Sequence, residues 1–336
     1  MDSPPITTDK RVVCLGLILA DLIAGPIEEF PKRAGIAVVD KMGLYPGGGA
    51  ANTAIALSRM GIPVSVAGRI GDDKLGEFLL ESLANEGVSL DLIGLDAKLG
   101  TSATMVLVDP DGERRFVHYV GANSTLTREH MGDDFWKNTA VLHVAYAFLL
   151  PGLDGRPMVK ILRKARDSGV ITVLDTAWDV QDRWMNLIEP CLPFTDYFVP
   201  NLAEGRALTG LSEPYEIAHE LIERGAANVI LKMNDAGSLY MDKHHQGLWC
   251  PAYDIEAVDS TGAGDSFDAG LIAGIWHGWP VEQKAKFANA AGALCASGYG
   301  AAGIVESLQG TLNFMDGQPA AVTGHIEMAT NNDMAA

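Results

Sequence analysis

The densest chemistry in the chain lies in Ala257-Val258-Asp259-Ser260-Thr261-Gly262-Ala263-Gly264-Asp265. Gly262-Ala263-Gly264 lets the backbone turn tightly, and the stretch that follows, 266–277, is helical by composition, so unpaired N–H groups converge at a helix N-terminus. Such a terminus accepts anions. Asp265 in that first turn would repel a phosphate unless its carboxylate contacts a different atom. A general base beside a phosphoryl group satisfies both conditions: Asp265 takes the proton of an attacking hydroxyl, while the amides of Gly262, Ala263 and Gly264 stabilise charge on the transferring phosphate. The same aspartate can equally do no more than complement the helix dipole.

Three further segments carry polar groups where a ligand could use them. Pro46-Gly47-Gly48-Gly49-Ala50-Ala51-Asn52 opens a second helix; its glycines allow close approach to the backbone, and the Asn52 amide can donate to and accept from hydroxyls, which suits a polyol. It is neither a Walker A loop nor a dinucleotide fingerprint. A glycine cluster that merely packs loop against helix would read the same. Asn201-Leu202-Ala203-Glu204 follows a short strand and Pro200, and N-x-x-E is also close to a helix capping box. Asp21 ends the first apolar run, where open α/β sheets place ligand groups and where ordinary turn chemistry also places aspartate.

The elements that must position these residues alternate. Apolar runs bounded by Gly, Pro or Asp predict strands at 12–19, 64–68, 140–144, 171–175, 197–199 and 229–232. Helical patterns predict helices at 50–60, 74–86, 156–168, 202–209, 214–224, 266–277 and 281–297. Strand and helix in alternation imply an open, mostly parallel sheet covered on both faces. Two stretches break the rhythm. Residues from about 20 to 45 read as short extended pieces, and 101–120 reads as a hairpin around Asp109-Pro110-Asp111-Gly112; a small sheet covering a cleft would have that character, and so would an edge hairpin with no role beyond packing.

The 336 residues include 25 basic and 43 acidic side chains, a net charge of −18, which argues against a nucleic-acid partner. With 48% hydrophobic and 20% charged residues the composition is that of a globular protein. Cys14, Cys191, Cys250 and Cys295 offer no C-x-x-C spacing, so a reducing, cytoplasmic setting is expected. Lys10-Arg11 before an apolar run imitates a short signal peptide, yet Asp9 and Asp21 flank it and the run is too short to span a bilayer. A buried first strand is the expectation, with no membrane partner.

In conjunction these residues resemble the ribokinase (PfkB-type) family of carbohydrate kinases over about residues 11 to 310. The resemblance rests on Asp21, Gly47-Gly48-Gly49-x-x-Asn52, Gly71-Asp72-Asp73 with Gly76, Asn201-x-x-Glu204, and Asp259-Ser-Thr-Gly-Ala-Gly-Asp265. It implies a three-layer ribokinase-like α/β fold with a central, mostly parallel sheet and a small β-sheet lid. One domain would cover 1–315, with lid segments at about 20–45 and 101–120 and a flexible tail at 316–336. It further implies ATP and Mg²⁺, transfer to a hydroxyl of a sugar or sugar-like molecule, and a homodimer formed through the lid. By resemblance Asp265 is the catalytic base and Gly262, Ala263 and Gly264 the anion hole. Asp21, Gly48, Gly49 and Asn52 are then acceptor contacts, and Asn201 and Glu204 position hydrated magnesium and the phosphates. Lys232, Asn234, Gly237, Thr261 and Asn289 lie by the nucleotide, and Asp259 with the loop 298–300 resembles the monovalent-cation site, for K⁺, of some members. Asp175-Thr176-Ala177-Trp178-Asp179 departs from the Asn- and Arg-bearing stretch of several fructose and sugar-acid kinases, which leaves the acceptor open. Arg114, Arg115 and His118 on the hairpin suit solvated edge protection better than a phosphate clamp, favouring an unphosphorylated acceptor. A nucleoside kinase of the same fold and a non-catalytic polyol binder are the competing readings.

Overall fold

In the computed structural model the structure describes residues 5–7, 9–29, 32–109, 114–298, 305–318 and 324–326. The chain enters through β1 (Arg11–Gly16), β2 (Leu19–Gly25) and β3 (Lys41–Gly47), then α1 (Gly49–Arg59), β4 (Val64–Gly71), α2 (Lys74–Asn85) and β5 (Ser89–Asp96). The hairpin β6 (Ala103–Val108) and β7 (Arg114–Tyr119) follows, then α3 (Asp133–Trp136), β8 (Thr139–Ala147), α4 (Arg156–Asp167), β9 (Ile171–Thr176) and α5 (Met185–Ile188). Next come β10 (Tyr197–Phe198), α6 (Leu202–Thr209), α7 (Pro214–Glu223), β11 (Asn228–Lys232), β12 (Ser238–Asp242) and β13 (Gly247–Cys250). The chain closes with α8 (Ala263–Trp276), α9 (Val281–Ala296), α10 (Leu308–Gly317) and β14 (Gly324–Ile326).

One sheet runs in the order β14-β13-β12-β11-β10-β9-β8-β1-β4-β5. Neighbours from β11 through to β5 are parallel, whereas β12, β13 and β14 are added antiparallel at one edge. Parallel strands bury both faces, which is why β1 reads as an unbroken apolar run with Val12, Val13, Cys14 and Leu15 out of solvent. One core layer joins the sheet to α1, α2, α8 and α9, and the other joins it to α4, α6 and α7. Helix α4 shows the logic: Met158, Ile161, Leu162 and Ala165 are buried, a single stripe at helical spacing, while Arg156, Lys160, Arg163, Lys164, Arg166 and Asp167 occupy most of its other positions. Helix α8 is buried from Asp265 to Trp276, and Gly270 lets it approach α9 closely, since a Cβ there would sit 2.8 Å from Ala288 Cα.

The small sheet has the order β3-β2-β6-β7, with β2 antiparallel to β3 and parallel to β6. The strand expected at 12–19 is two strands, one in each sheet. The chain leaves the large sheet after Gly16, and Leu17 and Ile18 stay buried in the crossing, so hydrophobicity is continuous where hydrogen bonding is not. The expected helix at 266–277 begins earlier, at Ala263, and this puts Asp265 in its first turn. The hairpin turn 110–113 and most of the expected tail lie outside the described residues; of that tail, Gly324–Ile326 pairs with β13 as an edge strand.

Candidate active site

Helix α8 starts at the carboxyl ends of the parallel strands with Gly262 as its N-cap, held at φ 74°, a left-handed conformation that glycine adopts freely. The cap has no side-chain hydrogen bond, Ala263 N donates to Ser260 O at 3.2 Å, and the first-turn amides of Gly264 and Asp265 have no intrahelical acceptor. Asp265 is 1% exposed. Its Oδ2 accepts from Asn52 Nδ2 at 2.8 Å and from Tyr146 Oη at 3.0 Å. The other oxygen, Asp265 Oδ1, and Asn52 Oδ1 have no partner among the described residues. Two buried acceptors side by side are what a hydroxyl donor would satisfy.

Asn52 reaches Asp265 because α1 begins at Gly49 behind Gly48, whose φ of 93° needs glycine; a Cβ at 48 would also overlap the carbonyl oxygen of Leu17. Asp21 lies on β2 opposite Tyr45 of β3, with its carboxylate over the Cα of Gly47. Burial pushes Asp21 up to about 6; the Thr104 hydroxyl opposes this and the negative charge of Asp265 adds to it. Asp21, Gly48, Gly49, Asn52 and Asp265 are thereby brought together from the small sheet, the start of α1 and the start of α8.

Asn201 and Glu204 form a reciprocal capping box at the start of α6: Glu204 N donates to Asn201 Oδ1 at 2.9 Å, and Asn201 N donates to Glu204 Oε2 at 3.0 Å. Thr176 Oγ1 donates to the same carboxylate at 2.8 Å. Burial and then the charge of Asp175 push Glu204 up to about 7. Lys232 Nζ stands 2.9 Å from Asp175 Oδ1 and 3.3 Å from Asp268 Oδ1. Burial alone would drive the ammonium towards neutrality, but Asp175, Asp268 and Glu204 outweigh it and hold it protonated. Burial raises Asp175 to about 8 and Asp268 to about 6, and lowers His143, 3.4 Å from Asp268, to about 4. Two carboxylates thus share one ammonium and Glu204 adds a third negative charge nearby, an excess of hard oxygen donors that suits a divalent cation such as Mg²⁺ beside Glu204.

The other predicted nucleotide contacts are more dispersed. Asn234 is exposed in the turn after β11, and Gly237 has φ 89° against the backbone at Cys250–Ala252. Asn289 on α9 is buried and donates to Cys250 O and Pro251 O, both at 3.0 Å, so its amide ties α9 to the end of β13. Thr261 N donates to Asp259 Oδ1 at 2.8 Å. Of the loop 298–300 expected to share a cation site with Asp259, residues 299 and 300 lie outside the described residues. Arg183 is clasped by Asp179 at 2.9 Å, and on the hairpin Arg115 pairs with Asp109 at 2.8 Å.

Sequence reasoning passed over Tyr146, His143 and Asp268. Tyr146 lies two residues beyond the predicted strand 140–144, a strand-end position that the ligand rule for open sheets could have flagged. Asp268 lies three positions after Asp265, on the same side of α8.

A model of the pfkB family of carbohydrate kinases matches residues 9–308. The chain belongs to that family. It is 30% identical to an uncharacterized sugar kinase of Archaeoglobus fulgidus over 249 residues, 74% of this chain and 96% of that one. It is 27% identical to fructokinase-1 of Oryza sativa subsp. japonica, covering 87% of this chain and 93% of the relative. Among solved structures, a putative ribokinase II from E. coli in complex with ATP and Mg²⁺ superposes with a TM-score of 0.79 at 24% identity, over 91% of this chain and 99% of that one. The family member described here is a carbohydrate kinase with the ribokinase-like fold: a large, mostly parallel sheet with a separate small sheet. No helix among the described residues is long and apolar enough to cross a membrane.

Proposed function

We propose that this carbohydrate kinase moves the γ-phosphoryl group of ATP onto a hydroxyl of an unphosphorylated sugar or sugar-like acceptor, with Asp265 as general base. The observation that carries this reading is the Asp265 carboxylate in the first turn of α8, with Oδ1 unpartnered beside an equally unpartnered Asn52 Oδ1. A substrate hydroxyl donating to Asp265 Oδ1 loses its proton there as its oxygen attacks phosphorus. Asn52 and Tyr146 fix the carboxylate through Oδ2, so its free oxygen is oriented before the acceptor arrives. The amides at Gly262–Gly264 supply the oxyanion-stabilising dipoles, with those of Gly264 and Asp265 the freest to serve. Asp21, Gly48 and Gly49 line the acceptor side from the small sheet and the start of α1.

ATP as donor and Mg²⁺ as its counter-ion are supported by the E. coli neighbour, whose complex contains both. Glu204 and Asn201 would hold the hydrated ion, with Lys232 and Asp175 next to them. Bound Mg²⁺ supplies charge neutralisation of the phosphate oxygens. Asn234, Gly237, Thr261 and Asn289 flank the nucleotide in this reading, and Asp259 belongs to a K⁺ site. An unphosphorylated acceptor is supported by Arg183 and Arg115 being already engaged by carboxylates, which leaves these two poor clamps for a second phosphate.

The same reading gives the molecule a second copy as partner. Met42 and Leu44 on β3, Met105 on β6 and Val117 on β7 are exposed apolar side chains on the face of the small sheet opposite Asp21, a concentration that isolated monomers avoid. The protein works in the cytoplasm in this account. The test is ADP release with Mg²⁺ and ATP across ketoses, aldoses, sugar acids and ribonucleosides. A free sugar or sugar acid should be the best acceptor; turnover on ribonucleosides alone would overturn the acceptor class, and silence throughout would overturn the activity.

A further inference from the structure

At the end of the large sheet remote from Asp265, two elements bring three ligating side chains together. His219 and Glu223 lie on α7 at i and i+4, so they share one face of the helix. The third is His245, in the turn that joins β12 to β13. Asp242 builds this turn: its Oδ1 accepts from His244 N at 2.8 Å and Gln246 N at 3.0 Å, and its carbonyl accepts from His245 N at 2.9 Å. His245 is held at φ 58°, a left-handed conformation in which histidine is enriched over most other side chains. Its imidazole lies against α7, stacked on His219 with ring centroids 4.5 Å apart, and its Nε2 is 3.1 Å from Glu223 Oε1. His245 Nδ1 is buried and has no hydrogen-bond partner among the described residues.

We propose that His219, Glu223 and His245 form a binding site for a divalent transition metal, of which Zn²⁺ is the best-suited class. One ligand atom from each residue already lies within 4.8 Å of the other two. Tetrahedral zinc, with bonds of about 2.0–2.2 Å to nitrogen and oxygen, brings its ligands to about 3.3 Å from one another. Rotation of the two rings out of their stack closes that difference without moving the backbone. Two imidazoles and a carboxylate select zinc or its transition-metal neighbours over Mg²⁺, which prefers oxygen and keeps its water. Glu223 is available for this because Arg224 turns instead to Glu189 and Glu220. The fourth position is left to water.

The site is structural, not catalytic. Register pairs Asn228 with Asp242 at this end of β11 and β12 and Lys232 with Ser238 at the active-site end, a separation of about 13 Å at ~3.3 Å per residue. A bound ion clamps the antiparallel edge hairpin to α7. It therefore stabilises the folded protein by mass action and leaves phosphoryl transfer alone.

The test uses the full-length, untagged protein, treated with chelator and titrated with Zn²⁺ by calorimetry and with Co²⁺ by visible absorption. The expected result is one equivalent of Zn²⁺ bound at micromolar or lower concentration, a rise in Tm, and a Co²⁺ spectrum of four-coordinate intensity. His219→Ala and His245→Ala should lose the binding at least 100-fold and Glu223→Gln more than tenfold, with kinase activity in Mg²⁺ unchanged as proof of folding. His244→Ala, next to the site on an exposed turn, should bind as the parent does. Equal Zn²⁺ affinity in the parent and in the His219→Ala/His245→Ala double variant would overturn the assignment, as would loss of binding in His244→Ala.

Discussion

Asp265 faces opposite demands: the first turn of a helix stabilises its charge, while a phosphate bound at the same amides would oppose it. Tyr146 and Asn52 resolve the conflict by fixing which oxygen is committed to the protein and which is left for substrate. Asp21 is pushed up to about 6 by burial. Only its ionised form accepts hydrogen bonds from two sugar hydroxyls, so kcat/KM for the acceptor should fall as pH drops through about 6. In Asp21→Asn that limb should disappear along with much of the affinity. A pH profile with the same acidic limb in parent and variant would remove Asp21 from acceptor recognition. The sign for stability is opposite: a carboxyl whose folded pKa lies above its unfolded value favours folding at low pH, and that contribution is lost as pH rises from about 4 to 6.

At the scale of elements, the ends of β9, β11 and α8 are fastened by one ammonium between two carboxylates. Lys232→Met leaves Asp175 and Asp268 buried face to face, a loss of about 3–5 kcal/mol for breaking such a buried arrangement. The expected drop in Tm, on the order of 10 °C at 2–4 °C per kcal/mol, should be partly recovered by adding Asp268→Asn. Thermal denaturation of the single and double variants checks this; an unchanged Tm in Lys232→Met would mean that the lysine is solvated. This bridge also marks where the sequence stops being legible. The alternation of strands and helices, the glycine turns at Gly48 and Gly262, and Asp265 with Asn52 could be read because each is local or sits at an element end. Lys232, Asp175 and Asp268 come from three separate elements, so no spacing encodes their meeting. The split of the first strand was hidden because Leu17 and Ile18 are as apolar as the strands on either side. Strands β12 and β13 escaped because they are only five and four residues long and the polar turn Lys243-His244-His245-Gln246 between them breaks the apolar run. Glu204 was read both as a cap and as a metal-positioning group, and the capping box is present in full.

For the molecule as a whole, a net charge of −18 keeps most of the surface mutually repulsive, while the small sheet concentrates exposed apolar side chains. If the proposed dimer forms through that sheet, sedimentation should give twice the chain mass. Met105→Glu with Val117→Lys should return the monomer; a parent that sediments as a monomer at all concentrations would contradict the lid interface. Phosphoryl transfer in the proposed mechanism depends on Asp265 taking the acceptor proton. The most direct measurement is the steady-state rate of Asp265→Asn with the best acceptor, alongside calorimetric binding of that acceptor. A fall in kcat of at least 10²-fold with acceptor affinity within a few-fold of the parent is the predicted result. A variant that turns over at the parental rate would contradict it.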